Sequence, residues 1–232
     1  MKVCAVQLEP VPGNIEENIK RHLEWITRAE EAHADIVFFP ELSLTGYEPT
    51  LAAALATTAD DARLIVLQHK SDEKGIVIAA GLPVAGAAGV EIAMLIFQPQ
   101  LPVAVYSKQY LHDDEIPFFT AGRQQLTIDV AGVRIAPAIC YESLLTEHAA
   151  QAHAKGANLY MASVAKSQKG VDAAMHHYPA IAKQFSLTVI MANSVGTCDN
   201  FCSAGQSAAW NSNGIITTRL DRESQGMITL DM

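Results

Sequence analysis

The sequence has 232 residues, half of them hydrophobic and 18% charged, so it can bury a sizeable core as one large domain or two small ones. It carries 16 Lys and Arg against 25 Asp and Glu, a formal net charge of −9, which argues against a general nucleic-acid binder and against docking on anionic membranes. The least polar long stretch, residues 75–90, contains Gly81, Pro83, Gly86 and Gly89 and is therefore a poor membrane helix.

Four cysteines, at positions 4, 140, 198 and 202, are too few for a disulfide-built scaffold in a chain of this length. The first residues lack the long apolar stretch and the small-residue cleavage site of a signal peptide. We therefore expect a reducing, cytoplasmic environment, in which a cysteine is of interest as a nucleophile.

Helices and strands alternate along the first half of the chain. Residues 1–7 are predicted to form a buried strand, and apolar residues at helical spacing predict a helix from Asn14 to about residue 34, with Asn14 as N-cap. Residues 35–40 form an apolar run ended by Pro40, which is typical of a strand buried on both faces. A further helix is predicted within 60–70, and further strands are predicted at 75–82, 91–98 and 103–107.

The second half continues the alternation. Hairpins are predicted at 127–130 with 133–140 and at 207–210 with 215–218, the second around Asn213-Gly214, a strong turn signal. Helices at 147–155 and 171–186 alternate with strands at 158–163 and 187–193. With no linker or internal repeat, the pattern predicts one α/β domain over residues 1–232, with helices covering a mixed sheet system.

Glu41 directly follows the predicted strand at 35–40 and has apolar residues on both sides. A glutamate in a turn is most often a solvated surface group. Here the neighbours leave little polar surface, so the carboxylate should be partly desolvated, with its pKa raised toward the values useful to a general base.

Two more reactive side chains lie at strand ends, where α/β folds place their sites. Lys108 follows the strand at 103–107; such a lysine usually solubilises a sheet edge, but it can also stabilise an oxyanion. Cys140 ends the strand at 133–140 before a predicted helix. A cysteine there is commonly a small buried hydrophobe, yet a thiol at a strand-to-helix turn can use backbone N–H groups as an oxyanion hole. The combination of the three points to nucleophilic catalysis.

Three separated motifs contain these residues: FFPEL at 38–42, YSK at 106–108 leading to FTAG at 119–122, and ICYE at 139–142. In this set and order, the sequence resembles the nitrilase (carbon–nitrogen hydrolase) superfamily. The resemblance runs from residue 3 nearly to the C-terminus and includes the segments 180–183, 189–196, 205–207 and 213–216. It implies an α-β-β-α sandwich, in which mixed sheets are flanked by helices, and a Glu-Lys-Cys triad.

Carried over position by position, the resemblance makes Glu41 the general base, Lys108 the oxyanion stabiliser and Cys140 the nucleophile. Glu115, seven residues after Lys108, matches a second family glutamate that orients the lysine and the substrate. The backbone N–H of Tyr141 is expected to complete the oxyanion hole.

The implied reaction is covalent and needs no metal or organic cofactor. It is expected to be an amidase reaction on a small amide, an ω-amide or carbamoyl compound, that releases ammonia through a thioester acyl-enzyme. A nitrilase acting on a small nitrile is the second chemistry, and a catalytically silent binding protein of the same fold is the alternative from another class. A glutaminase that feeds ammonia to a synthetase would require a separate partner.

Candidates for the walls of the substrate pocket come from position alone. Tyr47 can close the pocket by stacking or can be a packed turn residue, and Glu142 can bind substrate or support the site from behind. Ser163, Val164 and Ala165 follow a strand that should end beside the nucleophile.

The sequence departs from the resemblance at Leu144, which stands where many family members have an arginine, so recognition of substrate there is open. We expect a homodimer or higher homo-oligomer built on the helices after Cys140, with a small amide or nitrile as ligand and neither nucleic acid nor membrane as partner.

A metal site is the remaining alternative for the unassigned residues His176, His177, Cys198 and Cys202. A Cys-x3-Cys with adjacent histidines is poor spacing for zinc, and no metal is expected. Cys198 and Cys202 can also be read as a regulatory disulfide, although small loop residues are the simpler interpretation.

Overall fold

The computed structural model describes residues 1–232. Short 3-10 helices lie at Pro49–Leu51, Ala62–Leu64 and Cys140–Leu144. The α-helices are α1 (Ile15–Glu31), α2 (Ala52–Leu55), α3 (Ile65–Lys74), α4 (Thr146–Ala154) and α5 (Gln168–Phe185). The strands are β1 (Lys2–Gln7), β2 (Ile36–Phe38), β3 (Val77–Gly86), β4 (Gly89–Phe97), β5 (Ala104–Ser107), β6 (Ile128–Val130), β7 (Val133–Ile139), β8 (Leu159–Val164), β9 (Thr188–Asn193), β10 (Val195–Cys198), β11 (Phe201–Ala204), β12 (Ala208–Trp210), β13 (Ile216–Arg219) and β14 (Gly226–Asp231).

Two six-stranded mixed sheets carry the fold. The first has the strand order β14-β1-β2-β3-β4-β5, with β1, β2 and β3 parallel and the other pairings antiparallel. The second has the order β13-β12-β9-β8-β7-β6, with β7, β8 and β9 parallel and antiparallel strands at its edges. Parallel centres of this kind are covered on both faces, which explains the near-continuous apolar runs in the sequence.

The side-chain alternation of each central strand divides the apolar residues among three layers. In β1, Val3 and Ala5 pack in a core of 26 buried residues that receives side chains from both sheets, whereas Cys4 and Val6 pack with α1 and α3. A third cluster joins the outer face of the second sheet to α4 and α5. The layers therefore run helix, sheet, sheet, helix, and the expected α-β-β-α sandwich is confirmed.

The predicted elements occur with small shifts at their ends, and α1 begins as expected, with the Asn14 side chain accepting a hydrogen bond from the Glu17 N–H at 3.0 Å. Two strand features and the short helix α2 were not predicted. The hairpin of β10 and β11 stands apart from both sheets, and β14 forms the edge of the first sheet beside β1. Both are short and carry glycine, threonine or serine, so neither has a long apolar run that would reveal it.

The β10–β11 hairpin separates its two cysteines. Cys198 pairs with Phe201 and Cys202 pairs with Thr197, so the cysteines point to opposite faces of the hairpin. Cys198 is buried and Cys202 is exposed, and both are free thiols. The regulatory disulfide considered for this pair therefore does not fit the register.

No three His, Cys, Asp or Glu side chains converge in a way that could hold a metal ion.

None of the helices combines the length and the apolar character that crossing a bilayer requires.

Gln7, at the end of β1, ties the two sheets together from a fully buried position. Its Oε1 accepts hydrogen bonds from the N–H and the hydroxyl of Ser207, just before β12, at 2.9 Å each. Its Nε2 donates to the carbonyl oxygens of Asp221 and Ser224 at 2.9 and 2.7 Å. One amide thus connects the first sheet, the second sheet and the segment that leads into β14.

We predict that Gln7→Met lowers the free energy of unfolding by about 2–3 kcal/mol, because the buried Ser207 N–H loses its amide acceptor and the methionine thioether is only a weak one. Urea denaturation measures the change. The matched control is Gln225→Met, whose side chain is exposed and accepts one 3.3 Å bond from the Glu9 N–H, and it should stay within about 0.5 kcal/mol of wild type. Equal stabilities for the two variants would contradict the connecting role of Gln7.

Candidate active site

After β2 the chain crosses over strand β3 in a tight turn, and Glu41 lies in this crossing. The crossing packs closely on β3 because the residue beneath it is a glycine. The residue after Glu41, Leu42, has a φ of 50°, in the left-handed region that few non-glycine residues adopt. A Cβ on Gly81 of β3 would lie 2.5 Å from the Leu42 nitrogen, so glycine at this position lets the crossing pack directly on the strand. The result is a carboxylate only 1% exposed in the protein interior.

His22 of α1 supports the same crossing from the helix side. Its ring is fully buried and stacks on Phe39 at a centroid distance of 4.0 Å. Nδ1 lies 2.6 Å from the Asn18 carbonyl oxygen and Nε2 lies 2.9 Å from the Ser43 hydroxyl, two residues after Glu41. Burial lowers the pKa of His22 to about 4, so the ring is neutral at pH 7.

Lys108 follows β5 and places its ammonium between two carboxylates. Nζ donates to Glu41 Oε1 at 2.8 Å and to Glu115 Oε1 at 2.6 Å, and all three side chains are buried. Burial alone disfavours the ammonium, but the two carboxylates outweigh it and hold the pKa of Lys108 above its ordinary value. Glu115 is itself fixed by the Tyr47 hydroxyl at 3.1 Å and by the His112 N–H at 2.8 Å.

Cys140 occupies the sharp turn between β7 and a 3-10 helix. Its φ of 44° is again in the left-handed region, and such strained residues cluster at functional sites. Burial and the nearby Glu41 raise the pKa of the thiol to about 11, so the resting group is protonated. Burial also raises the pKa of Glu41, and its Oε2 is a buried acceptor without a hydrogen-bond partner. The site therefore pairs a neutral thiol with an open carboxylate oxygen.

Glu142 connects the end of β7, just before Cys140, to the segment that follows β5, just after Lys108. Its carboxylate accepts hydrogen bonds from the Ile139 N–H at 2.8 Å, the Gln109 N–H at 2.6 Å and the Tyr106 hydroxyl at 2.6 Å. Burial raises the pKa of Glu142 to about 7, against these bonds, which lower it. The group contacts the residues beside Cys140 and Lys108 but does not line the cavity, so of the two roles considered for Glu142 the contacts fit support of the site and not the pocket wall.

The carbon-nitrogen hydrolase family model matches residues 2–232. The chain belongs to the carbon–nitrogen hydrolase family.

Three relatives illustrate the range of the family around this chain. It is 26% identical over 226 residues to a glutamine-dependent NAD(+) synthetase of Acinetobacter baylyi, covering 93% of this chain and 41% of the synthetase. It is 28% identical over 165 residues to a 2-oxoglutaramate amidase of Bacillus subtilis, covering 69% of this chain and 63% of the amidase. The solved NitN amidase of Nesterenkonia sp. AN1 has the same fold, with a TM-score of 0.91 at 24% identity over 100% of this chain and 92% of that one. The chain thus spans less than half the length of the synthetase.

Beside Cys140, this carbon–nitrogen hydrolase has a cavity of about 440 Å³, a size that suits a small ligand. Of the predicted wall residues, Tyr47 and Ala165 line it. Tyr141, predicted as a backbone donor to the oxyanion hole, also lines it, and Leu144 forms part of the wall at the position where many family members have an arginine. The cavity is lined by Tyr47, His112, Asp114, Glu115, Cys140, Tyr141, Leu144, Ala165, Lys166, Ser167, Lys169, Gly170, Ala173 and Phe201.

Ser163 and Val164 do not line this cavity, and the alternation of β8 explains why. Val164 faces the helices and packs in the cluster that joins the second sheet to α4 and α5. Ser163 points toward the other sheet, where its hydroxyl donates to the Phe39 carbonyl oxygen at 2.8 Å. Their place in the sequence predicted that both lie near Cys140, but the pleat of the strand directs their side chains away from the cavity.

The sequence analysis missed several wall residues, and Phe201 and Lys166 are the most informative of them. Phe201 reaches the cavity from the unpredicted β10–β11 hairpin, and its ring lies edge-on to Tyr47 at a centroid distance of 5.6 Å. Lys166 follows directly after Ala165, and its Nζ lies 3.2 Å from the Cys140 carbonyl oxygen and 3.7 Å from Sγ. The available signal for Lys166 was its place just past a buried strand, the same signal that marked Glu41 and Lys108.

The neutral state of His22 predicts a loss of stability in acid. Its pKa is about 4 in the folded chain and 6.5 ordinarily, so the unfolded chain binds more protons between these values and stability falls as the pH falls through this window. The full loss from this group is about 3 kcal/mol. Urea denaturation across this range should show a shallower acid limb for His22→Gln than for wild type.

The exposed His69 of α3 supplies the control, and His69→Gln should keep the wild-type slope. His148, whose pKa burial also lowers to about 4, leaves part of the slope in both variants. Parallel acid limbs for wild type and His22→Gln would refute the assignment.

Proposed function

We propose that this chain hydrolyses a non-peptide amide C–N bond with Cys140 as nucleophile and releases ammonia through a thioester. The observation that carries the proposal is the buried Lys108 ammonium held by both Glu41 and Glu115 next to a cysteine on a strained turn. Such a group has no structural need for two carboxylates, because one partner neutralises it and each further buried charge costs desolvation. A developing oxyanion is a reason to fix an ammonium in this place.

In the proposed reaction, Glu41 takes the thiol proton through its open Oε2 while Sγ attacks the amide carbon. The carbonyl oxygen becomes an oxyanion, stabilised by Lys108 Nζ and by the backbone N–H of Tyr141 in the first turn of the 3-10 helix. The C–N bond breaks as the nitrogen takes the proton from Glu41, and ammonia leaves. A water that Glu41 deprotonates then attacks the thioester. The sulfur leaves as thiolate and takes that proton from Glu41, which regenerates the thiol and the carboxylate as the acid product is released.

A small ω-amide or carbamoyl compound is the substrate class that we propose. The cavity of about 440 Å³ holds a small molecule, and its walls combine apolar side chains with a few charged groups. A 2-oxoglutaramate amidase and an Omega-amidase are among the curated relatives, which supports a terminal amide as the reacting group. The homodimer expected from the resemblance and the cytoplasmic location stay predictions.

The first test is ammonia release from a panel of small ω-amides, carbamoyl compounds and nitriles by wild type and Cys140→Ala. We expect ammonia from at least one amide class in wild type and none in the variant, because the thioester cannot form without the thiol. Ammonia from nitriles alone would replace the amidase proposal with a nitrilase.

Silence across the panel is resolved by thiol alkylation with iodoacetamide, followed residue by residue by mass spectrometry. A working site predicts that Cys140 reacts far faster than Cys4, Cys198 and Cys202. Equal, slow labelling of all four in folded protein would overturn the enzyme and leave a silent binding protein of the same fold.

Lys108→Met should lower kcat by about 100-fold or more, since the oxyanion loses its fixed cation. It should also cost a few kcal/mol of stability, because Glu41 and Glu115 are left buried without a counter-ion, so the assay belongs well below the melting temperature. Lys183→Met, on the exposed face of α5, is the control and should match wild type. Retained turnover in folded Lys108→Met would remove Lys108 from the mechanism.

A further inference from the structure

The cavity contains a second buried lysine that the Glu-Lys-Cys arrangement does not use. We propose that Lys166 is a catalytic residue that stabilises the Cys140 thiolate. The inference rests on the proposed function, because it takes Cys140 as the nucleophile.

Lys166 is a buried lysine that has no anionic side chain as a partner. Its side chain is 4% exposed, and Nζ has two partners, both on Cys140: the carbonyl oxygen at 3.2 Å and Sγ at 3.7 Å. No carboxylate lies within ion-pair distance, whereas Lys108 has two. Buried charges are paired in stable proteins, so the sulfur is the atom nearby that can supply the missing negative charge.

Charge balance across the cluster supports the same assignment. With a neutral thiol, two carboxylates (Glu41 and Glu115) face two ammonium groups (Lys108 and Lys166). Moving the thiol proton to Glu41 leaves one carboxylate, one thiolate and the same two cations, so the cluster stays neutral before and after the transfer. Without Lys166 the cluster would carry a net negative charge both before and after the proton transfer. The thiolate would then have to form in a buried site that is already negative.

Neighbouring residues hold both the backbone of Lys166 and the aliphatic part of its side chain, its stem, in place. Asn193 of β9 accepts a hydrogen bond from the Lys166 N–H at 2.8 Å and donates one to its carbonyl oxygen at 3.2 Å. The stem lies along the first turn of α5, where a Cβ on Gly170 would come within 3.1 to 3.6 Å of three of its carbons. A glycine inside a helix is costly, and here it makes room for this side chain.

The sulfur carries negative charge twice in the proposed reaction. It does so first when the thiol proton passes to Glu41 before the S–C bond forms. It does so again when water has attacked the thioester and the C–S bond breaks with its electron pair on sulfur. Lys166 donates an N–H to Sγ at both moments and gives up no proton, while Lys108 serves the oxygen of the same carbonyl group.

The other titratable groups around Sγ act on the pKa of the thiol in both directions, and Glu41 acts more strongly than Lys166. Burial and Glu41 raise the pKa of the thiol; of the two cations that lower it, Lys166 does more than Lys108. At the mouth of the cavity, His112 Nδ1 lies 2.6 Å from Asp114 Oδ1, so these two groups engage each other.

The experiment measures the rate of Cys140 alkylation by iodoacetamide from about pH 5 to about pH 10, residue by residue by mass spectrometry. It compares wild type with Lys166→Met, Lys166→Gln, Lys166→Arg and Lys169→Met. Lys166→Gln keeps a donor for the Cys140 carbonyl oxygen without the charge. Lys169 is an exposed cation on the same cavity wall, with no contact to Sγ. Circular dichroism verifies that each variant is folded.

We expect Lys166→Met and Lys166→Gln to slow Cys140 alkylation about tenfold or more at each pH in this range, which lies below the thiol pKa of about 11, because less thiolate forms without the cation. Lys166→Arg should restore most of the wild-type profile, and Lys169→Met should leave it unchanged. Profiles of Lys166→Gln and wild type that superimpose, with Cys140 still the fastest cysteine, would overturn this role and leave the proposed function standing. Slow Cys140 labelling in wild type itself would overturn both.

Discussion

The rest of this site depends on the two ion pairs that the buried Lys108 ammonium forms with Glu41 and Glu115. A buried ion cluster is stable only when its charges are paired and held by further hydrogen bonds, so the surrounding chain supplies such partners and leaves Glu41 Oε2 open. Tyr47 and the His112 N–H hold Glu115. The tight crossing over Gly81 holds Glu41.

The two sheets solve the problem of bringing these groups together from distant parts of the chain. Glu41 and Lys108 come from the first sheet, whereas Cys140 and Lys166 come from the second, and the strand ends meet at one edge of the sandwich. The Glu142 carboxylate binds across this junction, since it accepts N–H groups from the strand end before Cys140 and from the residue after Lys108. Precision in the site therefore depends on how the sheets pack, which is why a core of 26 residues lies directly between them.

Much of this arrangement could be predicted from the sequence, because the relevant signals are local. Buried parallel strands appear as apolar runs, and a charged residue directly after such a run is conspicuous, as at Glu41. Glu115 came from resemblance alone, since it lies in a loop without periodicity. Lys166 escaped notice because a lysine after a strand is usually a solvated edge residue, and only its contacts reveal that it is buried. Val164 was placed in the wrong layer because a shift of one residue along a strand reverses the face.

The pairing of β14 with β1 also has a consequence for how the chain reaches this structure. The Cys4 and Thr229 side chains meet across 225 residues of sequence, and Gln7 finds two of its acceptors at Asp221 and Ser224. The two strands that pair here, β1 and β14, are thus separated by more than 200 residues, and the edge of β1 stays open until β14 reaches it. Contacts of such long range slow folding and leave a β-edge available for wrong pairing meanwhile. The sheet that holds Glu41 therefore depends, at its β1 edge, on the strand that lies farthest from β1 in the sequence.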